Sequence, residues 1–332
     1  MTGLVDKVKA GDVRSTARLI TLLEKRDPQA IQMLKEMYPH CGKAHLVGIT
    51  GPPGVGKSCL ISGLIRRFRK KEMSVGVLAV DPSSPFSGGA LLGDRVRMIE
   101  QSGDKGVFIR SLASRGATGG LSAAVNDAAD VLDVAGKDVI LIETVGVGQG
   151  EIEIARLAHT VILILMPGYG DMLQAMKAGI MEIGDILVVN KSDRPGADET
   201  VAELSAIQHF KGFQEGDDPW TPPIVKTSAT TGEGLDRLEE AIAGHLQFMK
   251  ARGLLAERSR GRRTRQFLDV LTQRIRDEFM AELQSDPAVQ EWVRRIGNLE
   301  LDPYVASEQV IRMIKEARER RGSGHRLDGS GR

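Results

Sequence analysis

The sequence predicts an α/β protein with a doubly wound, mostly parallel sheet that is flanked by N-terminal and C-terminal helical regions. Seven short apolar runs lie between residues 45 and 227, and they show the weak alternation that is typical of strands buried on both faces. Segments with helical spacing separate these runs, and this order favours parallel crossover units. Outside residues 44–250 only helical spacing is found, so the sheet is expected in the middle of the 332-residue chain.

The first region, residues 1–43, is predicted to be a helical arm. Its apolar residues recur at helical spacing, with breaks at Gly11 and at Asp27 and Pro28. The second region, residues 44–250, contains the predicted strands, which are His45–Thr50, Val75–Val80, Gly106–Arg110, Asp138–Ile142, Thr160–Met166, Asp185–Asn190 and Pro223–Thr227.

The third region, residues 251–321, is predicted to be helical and to form a dimer interface. An apolar stripe repeats every four residues along one helix face, at Phe267, Leu271, Ile275, Phe279 and Leu283. The remaining tail, residues 322–332, consists of glycine, serine and charged residues with few others, and we expect it to be disordered.

Composition and charge exclude several classes of protein. Lys and Arg number 45 and Asp and Glu 44, so the net charge of +1 gives no global field for a nucleic acid or an anionic bilayer. Two cysteines, Cys41 and Cys59, cannot build a disulfide scaffold or a four-ligand zinc site, which favours the cytoplasm. The sequence also shows neither a signal peptide nor an apolar run of the roughly 18 residues that a membrane span needs.

The strongest motif follows the first predicted strand and precedes a helical run. It matches the P-loop pattern in full, with the residues Gly51, Pro52, Pro53, Gly54, Val55, Gly56, Lys57 and Ser58. Glycines let consecutive backbone N–H groups point at phosphates, and the start of the helix adds positive potential. Lys57 is expected to reach the β and γ phosphates, and the Ser58 hydroxyl is expected to bind Mg²⁺.

A second motif, Asn190-Lys191-Ser192-Asp193, follows the sixth predicted strand and has the NKxD pattern. In this pattern the carboxylate of Asp193 accepts hydrogen bonds from guanine, Asn190 reads the other edge of the ring, and Lys191 packs over its face. The turn Ser228–Ala229 is expected to contact the base as well. Doubly wound sheets bind ligands at the carboxyl ends of their strands, so the middle region is predicted to be a P-loop GTPase domain that binds GTP or GDP.

Further polar residues at strand ends are candidates for the magnesium site and for hydrolysis. Mg²⁺ combines one or two carboxylates with waters and phosphate oxygens, and Asp81 and Glu143 are expected to contact it directly or through water. Gln149 is a candidate to orient the attacking water. The alternatives are turn or helix-capping chemistry for the two carboxylates and a solvated loop amide for Gln149.

Weaker signals are interpreted as structural. A basic run near the start of the third region could contact nucleic acid. A solvated helix face or inter-subunit ion pairing is favoured, because no aromatic residues accompany the run. The run consists of Arg258, Arg260, Arg262, Arg263 and Arg265. Cys59 is expected beside the nucleotide as a small buried residue and not as a nucleophile. His40, Cys41 and His45 lack the spacing of paired metal ligands and are interpreted as incidental.

Together these motifs resemble those of the MeaB/ArgK family, the GTPases associated with methylmalonyl-CoA mutase. The resemblance covers roughly residues 5–320 and rests on the P-loop, on Val80–Pro85 leading into Gly89 and Leu92–Arg95, on Arg115–Gly116 and Gly119–Gly120, on Glu143–Gln149, on Pro167–Asp171 and on Asn190–Asp193. Two positions near the site depart from the family pattern. Cys59 stands where threonine is expected, and Ser192, at the unspecified position of NKxD, stands where alanine is common.

The resemblance implies a Mg²⁺-dependent GTPase that acts as a homodimeric chaperone for an adenosylcobalamin-dependent acyl-CoA mutase, gating cofactor loading and protecting the holoenzyme. It also implies that the phosphates and Mg²⁺ are surrounded by Lys57, Ser58, Asp81, Asp94 and Glu143. Three switches are implied, at residues 81–94, at residues 143–151 and in the loop after Met166.

Other classes remain open. A metal-insertion GTPase chaperone would need a Cys/His metal site near the switches. A kinase of a solute-binding transport protein would need a base for the acceptor hydroxyl, and the guanine-type loop argues against the ATP that such an enzyme is usually assumed to use. A nucleic-acid-associated GTPase would use the basic run.

Overall fold

The protein is described here from a computed structural model for residues 2–82, 103–114, 120–144, 149–168, 180–210 and 220–323. The predicted fold class is confirmed, because seven strands form one parallel sheet in the order β3-β2-β4-β1-β5-β6-β7. The strands are β1 His45–Thr50, β2 Val75–Pro82, β3 Val107–Ser114, β4 Val139–Thr144, β5 Thr160–Leu165, β6 Ile186–Asn190 and β7 Ile224–Thr227.

Helices lie between several of the strands along the chain, and further helices precede β1 and follow β7. Those that lie in the described ranges are α1 Thr2–Lys9, α2 Val13–Glu24, α3 Pro28–Met37, α4 Lys57–Lys70, α5 Gly120–Val134, α6 Gln149–Leu157, α7 Ala197–Phe210, α8 Leu235–Ala251, α9 Leu254–Ser285, α10 Pro287–Gly297 and α11 Pro303–Ser323. Among these residues, no helix is both long and apolar enough to cross a bilayer.

Local chemistry explains the boundaries of the N-terminal arm. The Asp12 carboxylate accepts from the backbone N–H of Ser15 at 2.7 Å and caps α2. Asp27 caps α3 in the same way, and Pro28 occupies the first turn, where its missing N–H costs nothing. The buried apolar side chains of α1, α2 and α3 join the same core as α5 and β4, so the arm packs onto the sheet domain.

Three strands continue further than the sequence predicts, and the longest extension is that of β3, which was expected to end at Arg110 and runs to Ser114. β2 runs to Pro82 because its hydrogen-bonded pairing with β3 continues through the register pairs of Asp81 with Ala113 and Pro82 with Ser114. β4 runs to Thr144 because β2 and β1 pair with it on both sides. Glu143 therefore lies inside a central strand, and its backbone is fixed by two neighbours.

The chain divides into two compact units, residues 1–269 and residues 270–332. The first unit contains the beginning of α9, and this segment corrects our interpretation of the basic run. Arg258 donates to both carboxylate oxygens of Asp185 at 2.7 Å, and Arg262 and Arg263 both donate to Asp130. These arginines bind acids of their own chain, which composition cannot show, because the paired acids are 73 to 133 residues away. Arg260 and Arg265 are exposed.

Helix α5 supplies acids to three different segments. Asp127 pairs with Arg26 of the arm at 3.1 Å, and Asp130 pairs with Arg262 of α9 at 2.7 Å. The carboxylate of Asp133 accepts from backbone N–H groups at the entry to β1, including that of Ala44 at 2.9 Å. These aspartates are all buried, and each has its partner among the described residues.

Three buried histidines lie at the amino ends of β1 and β5, away from the P-loop. The Thr160 hydroxyl is 2.8 Å from His45 Nε2 and 2.8 Å from His245 Nδ1. His159 Nδ1 accepts from the backbone N–H of Leu46 at 3.2 Å. Burial lowers the pKa of His45 to about 3 and that of His159 to about 4, so both rings are neutral near pH 7.

The predicted apolar stripe on α9 is largely exposed. Phe267 is 61% exposed and Ile275 is 52% exposed, and Leu271 is also exposed, whereas Phe279 and Leu283 are half-buried. Exposed apolar side chains repeated along a helix face are unusual for a helix that contacts only water.

Candidate nucleotide-binding site

The loop between β1 and α4 requires glycine at specific positions. Gly51 has φ +144°, and a Cβ there would lie 2.2 Å from the carbonyl oxygen of Ile164 in β5. Gly56 has φ +96°, and a Cβ there would lie 2.5 Å from Nδ2 of Asn190. The loop is therefore held against both β5 and the end of β6, a packing that a side chain at either position would prevent.

Lys57 turns back into this loop. Its ammonium donates to the carbonyl of Gly51 at 2.8 Å and to that of Pro52 at 3.1 Å, and the side chain is buried. A buried ammonium beside the N-terminus of α4 concentrates positive charge where the glycine loop can approach an anion.

Ser58 and Glu143 meet at the carboxyl ends of β1 and β4. The Ser58 hydroxyl donates to Oε1 of Glu143 at 2.8 Å, and both side chains are buried. A hydroxyl and a carboxylate in contact are hard oxygen donors of the kind that Mg²⁺ prefers, so this pair fits the predicted metal site.

Asn190 joins the two predicted motifs, a role that the sequence did not reveal. Its Nδ2 donates to the carbonyl of Val55 in the P-loop at 2.7 Å. Its Oδ1 accepts from the Thr227 hydroxyl at 3.1 Å and from the backbone N–H of Ala229 at 3.2 Å. The side chain is 1% exposed, so these contacts form a buried link from the phosphate loop through β6 to the end of β7.

The remaining NKxD residues surround an open face. Lys191, with φ +59°, donates to the carbonyl of Gly54 at 2.6 Å, which brings its stem beside the P-loop. Asp193 is exposed, and the hydroxyl of Ser228 lowers the pKa of its carboxyl group. Asp193 is thus ionised and accessible near pH 7, as an acceptor for guanine donors must be.

Several predicted site residues lie outside the described residues. These are Asp94 and most of the first and third switches, including the loop after Gly168. Asp81 and Gln149 belong to β2 and α6 by their backbones, but their side chains are also outside the described part. Their predicted roles stay predictions.

Cys59 was predicted to be buried, and this is wrong. It is exposed on the outward face of α4, whereas Ser58 and Leu60 on either side of it are buried. Adjacent side chains of a helix point in different directions, and the side chain of Cys59 points away from the sheet. Among the residues that the structure describes, no group of three or more His, Cys, Asp or Glu side chains could hold a metal ion.

The parallel sheet, the phosphate loop and the linked guanine-type loop define a P-loop GTPase. The model of the family described as methylmalonyl Co-A mutase-associated GTPase MeaB matches residues 16–284. The chain therefore belongs to the MeaB family, and the resemblance stated from the motifs is confirmed.

Individual relatives agree with this membership. A Pyrococcus abyssi protein that bears a GTPase name is 45% identical over 311 residues, which cover 94% of this chain and 96% of the relative. GTPase ArgK of Escherichia coli is 31% identical, and the match covers 94% of this chain and 96% of the relative. A solved structure described as LAO/AO transport system kinase has a TM-score of 0.68 and is 25% identical in sequence. The match covers 95% of this chain and 97% of the solved chain.

Proposed function

We propose that this protein is a Mg²⁺-dependent GTP hydrolase that acts in the cytoplasm as a chaperone for an adenosylcobalamin-dependent acyl-CoA mutase. It would gate cofactor loading and protect the loaded mutase. The observation that carries the GTPase part is the Asn190 link, because it joins a phosphate loop and a guanine-type loop into one site. Family membership supports the mutase part, and so does a Mus musculus relative named methylmalonic aciduria type A homolog, which is 34% identical over 277 residues.

Ser58 and Glu143 are the described residues that would hold Mg²⁺. The ion would neutralise charge on the phosphates as the terminal phosphoryl group leaves. Lys57 would supply a second positive charge inside the loop, and the backbone N–H groups of the P-loop would hold the phosphate oxygens in place.

Hydrolysis is tested by GTP turnover with and without Mg²⁺. Glu143→Ala should abolish Mg²⁺-dependent turnover and retain measurable binding of fluorescent GDP, because the guanine contacts are separate from the metal contacts. Lys57→Ala should abolish nucleotide binding. Turnover of Glu143→Ala at the wild-type rate would contradict the metal assignment.

The partner is tested by adding purified methylmalonyl-CoA mutase to the GTPase assay. A slow intrinsic rate, on the order of 10⁻⁴ to 10⁻² per second as in unassisted GTPases, should rise on addition of the mutase. A pull-down from the native host, analysed by mass spectrometry, should recover the same enzyme. A rate that no acyl-CoA mutase changes, together with a pull-down lacking one, would contradict the chaperone role.

The proposal includes a homodimer formed through the exposed stripe of α9. Ile275→Glu should convert a dimer into a monomer in light scattering, because it places a charge on an apolar interface. Arg274→Glu, at an exposed polar position of the same helix, is the matched control. A wild-type protein that is monomeric at micromolar concentration would contradict this part of the proposal.

A further inference from the structure

A cleft in the N-terminal arm is separate from the nucleotide site. It has a volume of about 490 Å³ and is bounded by α1, α2 and α3. The buried apolar residues of the arm pack with α5 on one face of the sheet, whereas α4 and the P-loop residue Val55 pack on the opposite face. The volume of the cleft is in the range of small-molecule binding sites.

Each wall of the cleft is one face of a helix. Arg14, Arg18 and Leu22 line it from α2 at a spacing of four positions, so they form one stripe about 12 Å long. The other walls have helical spacing as well and consist of Leu4 and Lys7 of α1 and of Gln29 and Met33 of α3. Three helices thus present continuous faces to one space of the length of a small molecule.

Three cations stand at the rim of this cleft. Lys7, Arg14 and Arg18 are exposed, and within the described ranges none of them forms a hydrogen bond or an ion pair. Arg14 and Arg18 are one helical turn apart, a spacing at which like charges repel each other and destabilise a helix. Lys7 adds a third positive charge from α1. An anion bound between these side chains would remove the repulsion.

The acids near these cations already serve as helix caps. Asp27 is the one acid among the described residues that line the cleft, and its Oδ1 accepts from two backbone N–H groups of α3 at 2.9 and 3.0 Å. Asp12 accepts from the backbone N–H of Ser15 in α2 at 2.7 Å. Its contacts with Ser15 lower the pKa of its carboxyl group, and the charges of Lys7 and Arg14 lower it further. Neither acid lies within ion-pair distance of a cation of the cleft, so three positive charges face two engaged acids.

The inner part of the cleft is aliphatic. Leu4 and Leu22 are half-buried and Met33 is buried, in contrast to the exposed cations at the rim. Among the described residues that line the cleft none is aromatic, so it offers no ring on which a nucleobase can stack. Guanidinium groups bind carboxylates and phosphates through two parallel N–H donors. An aliphatic interior below a cationic rim therefore matches a molecule with an anionic end and an aliphatic body.

We propose that this cleft binds a small organic anion, namely a carboxylate or a phosphate ester with an aliphatic body. Arg14 and Arg18 bind the anionic group, and Lys7 contacts it from α1. The aliphatic body packs against Leu22 and Met33. The inference is independent of GTP hydrolysis, because the cleft and the described nucleotide site have no residue in common.

Isothermal titration calorimetry of the full-length protein with hexyl phosphate and with hexanoate tests the proposal. GDP and Mg²⁺ are kept in excess, so that the P-loop does not take up the probes. At least one probe should bind with a Kd of about 1 mM or below. The matching short anion, methyl phosphate or acetate, should bind at least about 10-fold more weakly because it lacks the aliphatic body. The preferred probe then distinguishes a phosphate ester from a carboxylate.

Substitutions at the rim assign the binding to this cleft. Arg14→Gln and Arg18→Gln should each weaken binding about 10-fold or more, since each removes charge-assisted hydrogen bonds. Lys35→Gln is the matched control, because Lys35 is an exposed cation of α3 that does not line the cleft, and its Kd should stay within about twofold of wild type. Without ligand, Arg18→Gln should melt at or above the wild-type temperature, because the repulsion with Arg14 is gone. The preferred probe should raise the melting temperature of the wild type and of Lys35→Gln more than that of Arg18→Gln.

Three results would overturn the inference. The first is the lack of saturable binding of either probe at about 10 mM, or equal Kd values for the wild type and both arginine variants. The second is equally tight binding of the short and the long anions, which would leave only a charge contact. The third is displacement of the probe by a hexaglutamate peptide at a concentration below the Kd of the probe, which would make the cleft a docking site for an acidic protein segment.

Discussion

The buried amide of Asn190 offers a direct test of how the two halves of the nucleotide site are coupled. Asn190→Asp keeps the size of the side chain and the oxygen that accepts from Thr227 and Ala229. It replaces Nδ2 by a second oxygen, which would face the carbonyl of Val55 at the present donor distance of 2.7 Å. Two acceptors at this distance repel each other, and the new carboxylate would be buried.

The magnitude follows from the groups that lose their partner. The Val55 carbonyl loses its hydrogen bond from Nδ2, and an unsatisfied buried polar group costs about 1 to 3 kcal/mol. Relief of the repulsion requires the P-loop to move away from β6, because Gly56 leaves no space on the other side. If this cost falls on the nucleotide-binding conformation, the affinity for GDP should drop by about 5-fold to 150-fold.

Fluorescent GDP titration measures this loss, and urea unfolding measures how much of it is general instability. Ser192→Ala is the control, since position 192 is unspecified in the NKxD pattern and its backbone N–H already bonds to the carbonyl of Thr227 at 3.0 Å. An Asn190→Asp protein that binds GDP within twofold of wild type and unfolds at the same urea concentration would refute the reasoning.

Three further predictions concern specificity, stability and pH. Asp193→Asn should weaken GTP binding and improve xanthosine triphosphate binding, because an amide places a donor opposite guanine N1–H; competition titrations measure this, and equal wild-type affinity for ATP and GTP would contradict it. Arg262→Ala should lower the free energy of unfolding by about 3 kcal/mol, since it leaves the buried Asp130 with Arg263 and the Gln266 amide. The exposed Arg265→Ala should change it by less than about 0.5 kcal/mol in urea titrations. Acid should destabilise the protein through His45 and His159, because the unfolded chain binds protons near pH 6.5 and the native rings do not until about pH 3 and 4.

The sign of the pH effect can be checked over a defined window. Between pH 6.5 and 6 the unfolded histidines are about half to three-quarters protonated, so each of the two should lower the free energy of unfolding by about 0.7 to 1 kcal/mol per pH unit as pH falls. Burial raises the pKa of Asp127 to about 6, so between pH 6 and 3.8 the native state takes up a proton there first and offsets one of the two histidines. Urea titrations at constant ionic strength measure this. His45→Gln should reduce the slope, and an unchanged slope would contradict the assignment.

The sheet could be predicted from sequence because its signal is local. All seven strands were predicted, since each is a short apolar run, and β1, β4, β5 and β6 are buried along their whole length. The ends of β2, β3 and β4 were not, because polar residues such as Glu143 continue the strand through backbone pairing that composition does not report. The same holds for the basic run, whose arginines find their acids only when α9 packs against α5.

The nucleotide site likewise has features that the sequence predicts and features that only the fold reveals. The P-loop and the guanine-type loop were recognisable because their chemistry resides in consecutive residues. The contact of Asn190 with Val55 spans 135 residues and has no local signal.

The buried acids that pair with arginines of α9 also determine where this chain can be shortened. A truncated chain that stops at residue 250 would lack Arg258 and Arg262, so Asp185 and Asp130 would be left in the interior without their counter-charges. Such a product would contain every nucleotide-binding motif and still be a poor folding unit, with exposed acid-lined clefts where α9 had been. A product that extends past Gln266 keeps both ion pairs and the amide that reaches Asp130 at 3.3 Å. Expression trials of the isolated GTPase unit should therefore retain the first four turns of α9.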